Sequence, residues 1–163
     1  MLKYLWLTAL IVVLDLGTKA IVSQNFALYE SINVIPHWFN LTLVHNAGAA
    51  FSFLANESGW QRWFFAIIAF VVSVVIFFWM KYLNKEERWM AIALALVLGG
   101  ALGNLWDRLT LGYVVDFLDF YYQSSTKTMH WPAFNIADMA ISIGAFMLII
   151  DALFHQDRSE KNT

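Results

Sequence analysis

The chain has 163 residues, 60% of them hydrophobic and only 13% charged, with a mean hydropathy of +0.59, too apolar for an ordinary soluble domain and suited to a membrane. A formal net charge of −2 leaves no basic surface to track a phosphate backbone, which argues against a nucleic-acid partner. The absence of cysteine excludes a disulfide framework, a thiol nucleophile and a thiolate metal site, and thiol redox chemistry with them.

Four stretches approach the roughly 20 apolar residues that a helix needs to cross about 30 Å of hydrocarbon. They fall near residues 4–22, 61–82, 90–110 and 135–154. The first follows Lys3 as a signal peptide would, but Asp15 and Lys19 interrupt it and three more spans follow, so it reads as retained. Asp15 and Lys19 are four apart and suit an ion pair within that helix, with an architectural role. In the next segment Phe39, Leu41 and Leu43 alternate with Asn40, Thr42 and Val44, a period of two that predicts a strand on the membrane surface. It runs into Asn46-Ala47-Gly48-Ala49-Ala50-Phe51, whose small side chains suit either a surface turn or a ledge for a substrate backbone.

On the third span Asn104 and Arg108 share one helical face, where the arginine can anchor the helix at the interface or steady a charged site. The stretch after it holds Asp116 and Asp119, and spacing alone does not choose between them. Asn135 and Asp138 stand three apart on the first turn of the fourth span, where the helix dipole favours negative charge. A carboxylate at the rim of a bilayer is costly, so Asp116 and Asp138 together read as a site.

Lys3, Lys81, Lys85, Arg88, Arg158 and Lys161 lie on one side of the four-span arrangement, whereas residues 23–60 contain no lysine or arginine and 111–134 contain only Lys127. The positive-inside rule then places both termini in the cytoplasm and the two aspartates on the extracytoplasmic side. The expected fold is an all-α polytopic membrane protein of four transmembrane helices, with a small extracytoplasmic β element and a short extracytoplasmic loop or helix. It forms one integral membrane domain over residues 1–163.

Asn46-Ala-Gly-Ala-Ala-Phe51, Gly103-Asn104-Leu105-Trp106-Asp107-Arg108, Gly112-Tyr-Val-Val-Asp116-Phe117 and Phe134-Asn135-Ile136-Ala137-Asp138, in this order on four spans, resemble the bacterial lipoprotein signal peptidases (signal peptidase II). The resemblance covers nearly the whole chain and implies an aspartic endopeptidase with Asp116 and Asp138 as its catalytic pair. It implies supporting roles for Asn46, Asn104, Arg108 and Asn135, and structural ones for Asp15 and Lys19. The substrate it implies is a diacylglyceryl-modified prolipoprotein, cut just before the lipidated cysteine in the cytoplasmic (inner) membrane, with globomycin as inhibitor and no cofactor. Two carboxyls sharing a water hold one proton between them, so one activates the water and the other donates.

Other chemistries are less well supported by the residues. A serine with a lysine base would draw on Ser124 or Ser125 with Lys127 or Lys19, but Lys127 sits in a polar loop that keeps its ammonium charged. His37, His45, His130 and His155 lack the spacing of a metal site. A small proton-coupled transporter using Asp15, Asp116 and Asp138 as a relay is the alternative function, although the halves show no inverted repeat. Phe51, Tyr113, Tyr121, Tyr122 and Trp131 serve equally as groove lining or interfacial anchors. Residues 24–35 and 119–131 are the expected mobile covers.

Overall fold

A computed structural model describes the backbone of residues 1–48 and 59–160, and side chains over the same range as far as Leu153. Ala49, Ala50 and Phe51 of the small-residue motif, and the side chains of His155 and Arg158, lie outside the described residues, as does Lys161. A 3-10 turn over Leu2–Tyr4 leads into α1 (Leu5–Asn25), followed by β1 (Ser31–Ile35), β2 (Phe39–Asn46), α2 (Trp60–Tyr82), α3 (Arg88–Thr110), β3 (Val114–Gln123), β4 (Thr128–His130) and α4 (Ile136–Glu160). All four helices are long and apolar enough to cross a membrane. Each coincides with an expected span to within a few residues at its start.

The helices are not equivalent. The apolar window of α3 is 61% buried, against 22%, 22% and 17% for α1, α2 and α4. α3 is the central helix, and the others leave most of their apolar surface to lipid. Its own small residues allow this, since Ala91, Ala93, Ala95, Gly99, Gly100, Ala101 and Gly103 are all buried. A Cβ on Gly100 would collide with the Ala137 carbonyl oxygen, so α3 approaches α4 at backbone distance, and one on Gly103 would collide with the Asp15 carboxylate of α1. A larger side chain at either position would push the site's supporting helices apart.

The strands form one antiparallel sheet in the order β1-β2-β3-β4. An all-α description is therefore too narrow: the stretch between α3 and α4 is a hairpin of β3 and β4, and no helix occurs among the described residues that join one span to the next. Val22 of α1, Leu43, Val115 and Phe117 pack as one buried cluster and fasten the sheet to the helices. Burial of such side chains contributes roughly 1.5–3 kcal/mol each.

The expected alternation in β2 holds only as far as residue 42. Leu41 pairs with Leu118 and Val44 with Asp116, so three steps along β2 answer two along β3, which is a β-bulge. Without the extra residue, Asn46 would share a face with Asn40 and Thr42. With it, Asn46 pairs with Val114 on the face of β3 that also carries Asp116, and Leu43 turns into the cluster with Val22. One inserted residue thus decides which side of the sheet Asn46 serves.

Candidate functional site

α4 opens with a reciprocal cap. Asn135 Oδ1 accepts from the Asp138 amide at 2.9 Å, and Asp138 Oδ2 accepts from the Asn135 amide at 3.3 Å. This is a capping box with aspartate in the place of the usual glutamate, and it holds the Asp138 carboxylate over the first turn. The Asn135 side chain is fully buried and also donates from Nδ2 to Asp116 Oδ1 at 2.7 Å. One residue therefore touches both carboxylates.

Asp116 reaches the site from β3. Its second oxygen, Oδ2, accepts from Asn46 Nδ2 at 2.9 Å, a cross-strand contact that exists because of the bulge. Asp138 is held in turn by α3, where Asn104 Nδ2 donates to Asp138 Oδ1 at 2.8 Å. Asn104 Oδ1 accepts from Lys19 Nζ at 2.9 Å, and because an ammonium only donates, the Asn104 amide cannot flip without losing both bonds.

Lys19 is only 3% exposed and does more than pair within its own helix. Its Nζ lies 2.7 Å from Asp15 Oδ2 and 3.0 Å from Asp107 Oδ2. Asp15 Oδ1 accepts from the amide of Ala137, the neighbour of Asp138, at 2.9 Å, and Asp107 Oδ2 accepts from the amide of Val115, the neighbour of Asp116, at 3.1 Å. A buried ammonium with three oxygen partners has its donors satisfied, and removal of Lys19 would leave two buried carboxylates without a counter-charge. Arg108 contacts neither carboxylate directly in a hydrogen bond. Its guanidinium donates to the carbonyls of Asn104 and Gly48, each at 3.2 Å, and lies over the Phe65 ring, while its charge acts on Asp138 and Asp116 through space.

The two aspartates occupy different surroundings. Asp138 lines a cavity of about 850 Å³ together with Asn46, Asn104 and Arg108, and apart from Ser142 the rest of the wall is apolar, with Phe39, Leu118 and Trp131 among its members. Asp116, bonded to Asn46 of that wall, is only 2% exposed. Burial first, and the Asp138 charge second, raise its carboxyl pKa to about 7, against the opposing hydrogen bonds from Asn46 and Asn135. Near neutral pH the pair is therefore disposed to hold its proton on Asp116.

Asp119, the rival of Asp116 in the sequence, points the other way. Three residues apart on a strand means opposite faces, and Asp119 accepts from Asn40 Nδ2 at 2.8 Å on the far side of the sheet. Lys127 and Ser124 form the turn between β3 and β4, where the Lys127 amide donates to Ser124 Oγ at 3.2 Å. Tyr113 stacks on His45 with ring centroids 3.8 Å apart, and burial lowers the His45 pKa. Of the described aromatics first considered for the groove, Trp131 lines the cavity, whereas Tyr121 faces away with Asp119.

Residues 7–154 match the family model described as Signal peptidase (SPase) II. The chain belongs to the signal peptidase II family. Within it, a lipoprotein signal peptidase of Alteromonas mediterranea is 55% identical over 99% of this chain and 86% of that protein. One from Pseudomonas aeruginosa is 54% identical over 97% of this chain and 91% of its own length. A bacterial membrane enzyme solved by the in meso method at 2.3 Å resolution superposes with a TM-score of 0.83 at 33% identity, covering 98% of this chain and 91% of that one. Signal peptidase II membership makes the chain a peptidase.

Three features of this signal peptidase II chain escaped the reading of its sequence. Asp107 stands inside a motif singled out for Asn104 and Arg108, yet only the fold shows that it shares Lys19 with Asp15. Asn-x-x-Asp before an apolar run is a capping signal, and it could have been recognised at 135–138. The bulge in β2 had no legible signal, because no glycine or proline marks residues 41–44.

Proposed function

We propose that this chain is an aspartic endopeptidase that removes the signal peptide from diacylglyceryl-modified prolipoproteins, cutting the peptide bond just before the lipidated cysteine. The observation that carries the reading is the unequal pair joined by Asn135: one carboxyl facing an apolar cavity, the other buried and disposed to hold a proton. Asp138 takes a proton from water as the water oxygen attacks the carbonyl carbon. Asp116 gives its proton to the carbonyl oxygen, which Asn46 helps to hold, and a tetrahedral intermediate forms. Collapse returns that proton to Asp116, and the proton on Asp138 goes to the departing nitrogen. Water is added across the bond with no acyl-enzyme.

The remaining residues have supporting roles in this reading. Asn104 and Asn135 orient the pair, Arg108 supplies positive charge near it, and Asp15 and Lys19 are architectural. The whole of 1–163 acts as one domain in the bacterial cytoplasmic (inner) membrane, with both termini in the cytoplasm and the sheet and site on the extracytoplasmic side. A signal peptide and its acyl chains enter laterally from lipid, and water enters from outside. Globomycin is the expected inhibitor.

Cleavage of a diacylglyceryl-modified prolipoprotein by purified protein in lipid tests the reading, with Asp116→Asn and Asp138→Asn each checked for retained fold. Each variant should lose about 100-fold or more in kcat. Undiminished turnover in either would remove the pair from the chemistry.

A further inference from the structure

The face of the sheet opposite Asp116 carries a polar ring that draws on all four strands. Asn33 of β1 donates from Nδ2 to Asn40 Oδ1 of β2 at 3.0 Å, and Asn40 donates to Asp119 Oδ2 of β3. His130 of β4 closes on the same carboxylate, its Nδ1 2.9 and 3.0 Å from the two oxygens. The His130 ring stacks on Tyr121 with centroids 5.3 Å apart and planes 15° from parallel, and the Tyr121 hydroxyl accepts from Asn33 Nδ2 and from the His37 amide. The circuit returns to its start.

Beside this ring lies a shallow cleft of about 490 Å³ bordered by Thr42, Asp119, His130, Trp131, Pro132 and Ala133. Trp131, Pro132 and Ala133 also line the cavity that holds Asp138. A single strip of backbone therefore separates the two. It is tied to β3 at its ends, where the Trp131 amide donates to the Phe120 carbonyl at 2.7 Å and the Phe134 amide to the Leu118 carbonyl at 3.1 Å. Between them Pro132 has no N–H to give. His130 is the residue immediately before the strip, and its side chain is anchored to a carboxylate that is itself only 10% exposed.

We infer that His130 and Asp119 are positioning residues that set the Trp131–Phe134 wall of the substrate cavity, and so govern substrate affinity without touching the reacting atoms. The inference rests on the proposed peptidase reading for its substrate, but the position of the wall can be measured without turnover. His130→Phe keeps a ring over Tyr121 and removes the nitrogen that meets Asp119, whereas His130→Gln offers a replacement donor. Half of the pair is exposed to water, since the His130 side chain is 52% accessible, so water competes for the contact and its effect is modest.

His130→Phe should raise KM for the lipid-modified prolipoprotein about two- to fivefold with kcat within about twofold, and His130→Gln should return it toward wild type. Hydrogen exchange at the Trp131 and Phe134 amides should quicken by a similar factor in His130→Phe. Unchanged exchange at those amides, a fall in kcat at constant KM, or equal behaviour of the Phe and Gln variants would overturn the inference. Failure of the wild-type protein to cleave would instead sink the peptidase reading, and amide exchange would then decide alone whether the ring holds the wall.

Discussion

Burial and a neighbouring carboxylate push Asp116 in the same direction, and the consequence is a pH window that can be measured. A carboxyl at about 7 in the folded chain and near 3.8 when unfolded binds its proton more tightly in the folded state. Its contribution to stability is therefore fully present below about pH 3.8 and is lost as pH rises through about 7. The loss is roughly 4 kcal/mol at about 1.4 kcal/mol per pH unit, with little discount for screening because the side chain is buried. Asp116→Asn should flatten this segment of the pH–stability curve and unfold at a higher temperature than wild type at pH 8. Asp138→Asn, which removes the second cause of the shift, should move the window to lower pH. A curve for Asp116→Asn that still falls between pH 4 and 7 like wild type would place the titration elsewhere. Activity is expected to decline above about pH 7 as the proton leaves Asp116. The two acids were legible as a pair from their place at the ends of apolar spans. The helix start that favours charge on Asp138 was legible too, but the burial that raises Asp116 was not, because it comes from a sheet face that only the fold brings against the helices.

Among the elements, α3 carries the tightest constraint. Gly103→Ala would drive a Cβ into Asp15 Oδ2, which has no room to yield because it is paired with Lys19, while the other oxygen caps Ala137. The expected cost is about 1–3 kcal/mol, read as a lower thermal midpoint in detergent or lipid. Gly17→Ala is the matched control. Nothing lies within 4 Å of a Cβ there, so the gain in helix propensity should leave stability unchanged or raise it by up to about 1 kcal/mol. Equal losses at both positions would mean that backbone effects, not the Asp15 contact, govern the response. The four helices were legible because lipid demands long apolar runs, whatever their neighbours. β3 was not, because its first four residues are all buried and the alternation that marks a half-exposed strand is missing. Had that strand been read, a spacing of three would have separated Asp116 from Asp119 at once. Leu43 likewise breaks its expected face for a reason of packing, since the hydrophobic cluster at the end of α1 takes it in.

At the scale of the molecule, the orientation proposed from lysine and arginine counts has a direct test, because a chain without cysteine gives no background to a thiol reagent. Thr126→Cys, in the β3–β4 turn, should react with an impermeant maleimide on intact spheroplasts. Lys85→Cys, between α2 and α3, should react only after the membrane is opened. The reverse pattern would turn the site toward the cytoplasm and end the proposed reading.

The ionic centre around Lys19 also bears on how such a chain is made. Asn104 lies 85 residues downstream of Lys19 and Ala137 lies 122 downstream of Asp15, with Asp107 between them in sequence, so α1 is synthesised long before α3 and α4 exist. During that interval a lone lysine or a lone aspartate would weigh heavily against entry into the bilayer. Set one helical turn apart, Asp15 and Lys19 cancel each other's charge within a single segment. The first helix can thus leave the ribosome and wait in lipid as a neutral rod, and it surrenders part of that self-contained pairing only when the last two helices arrive to share it.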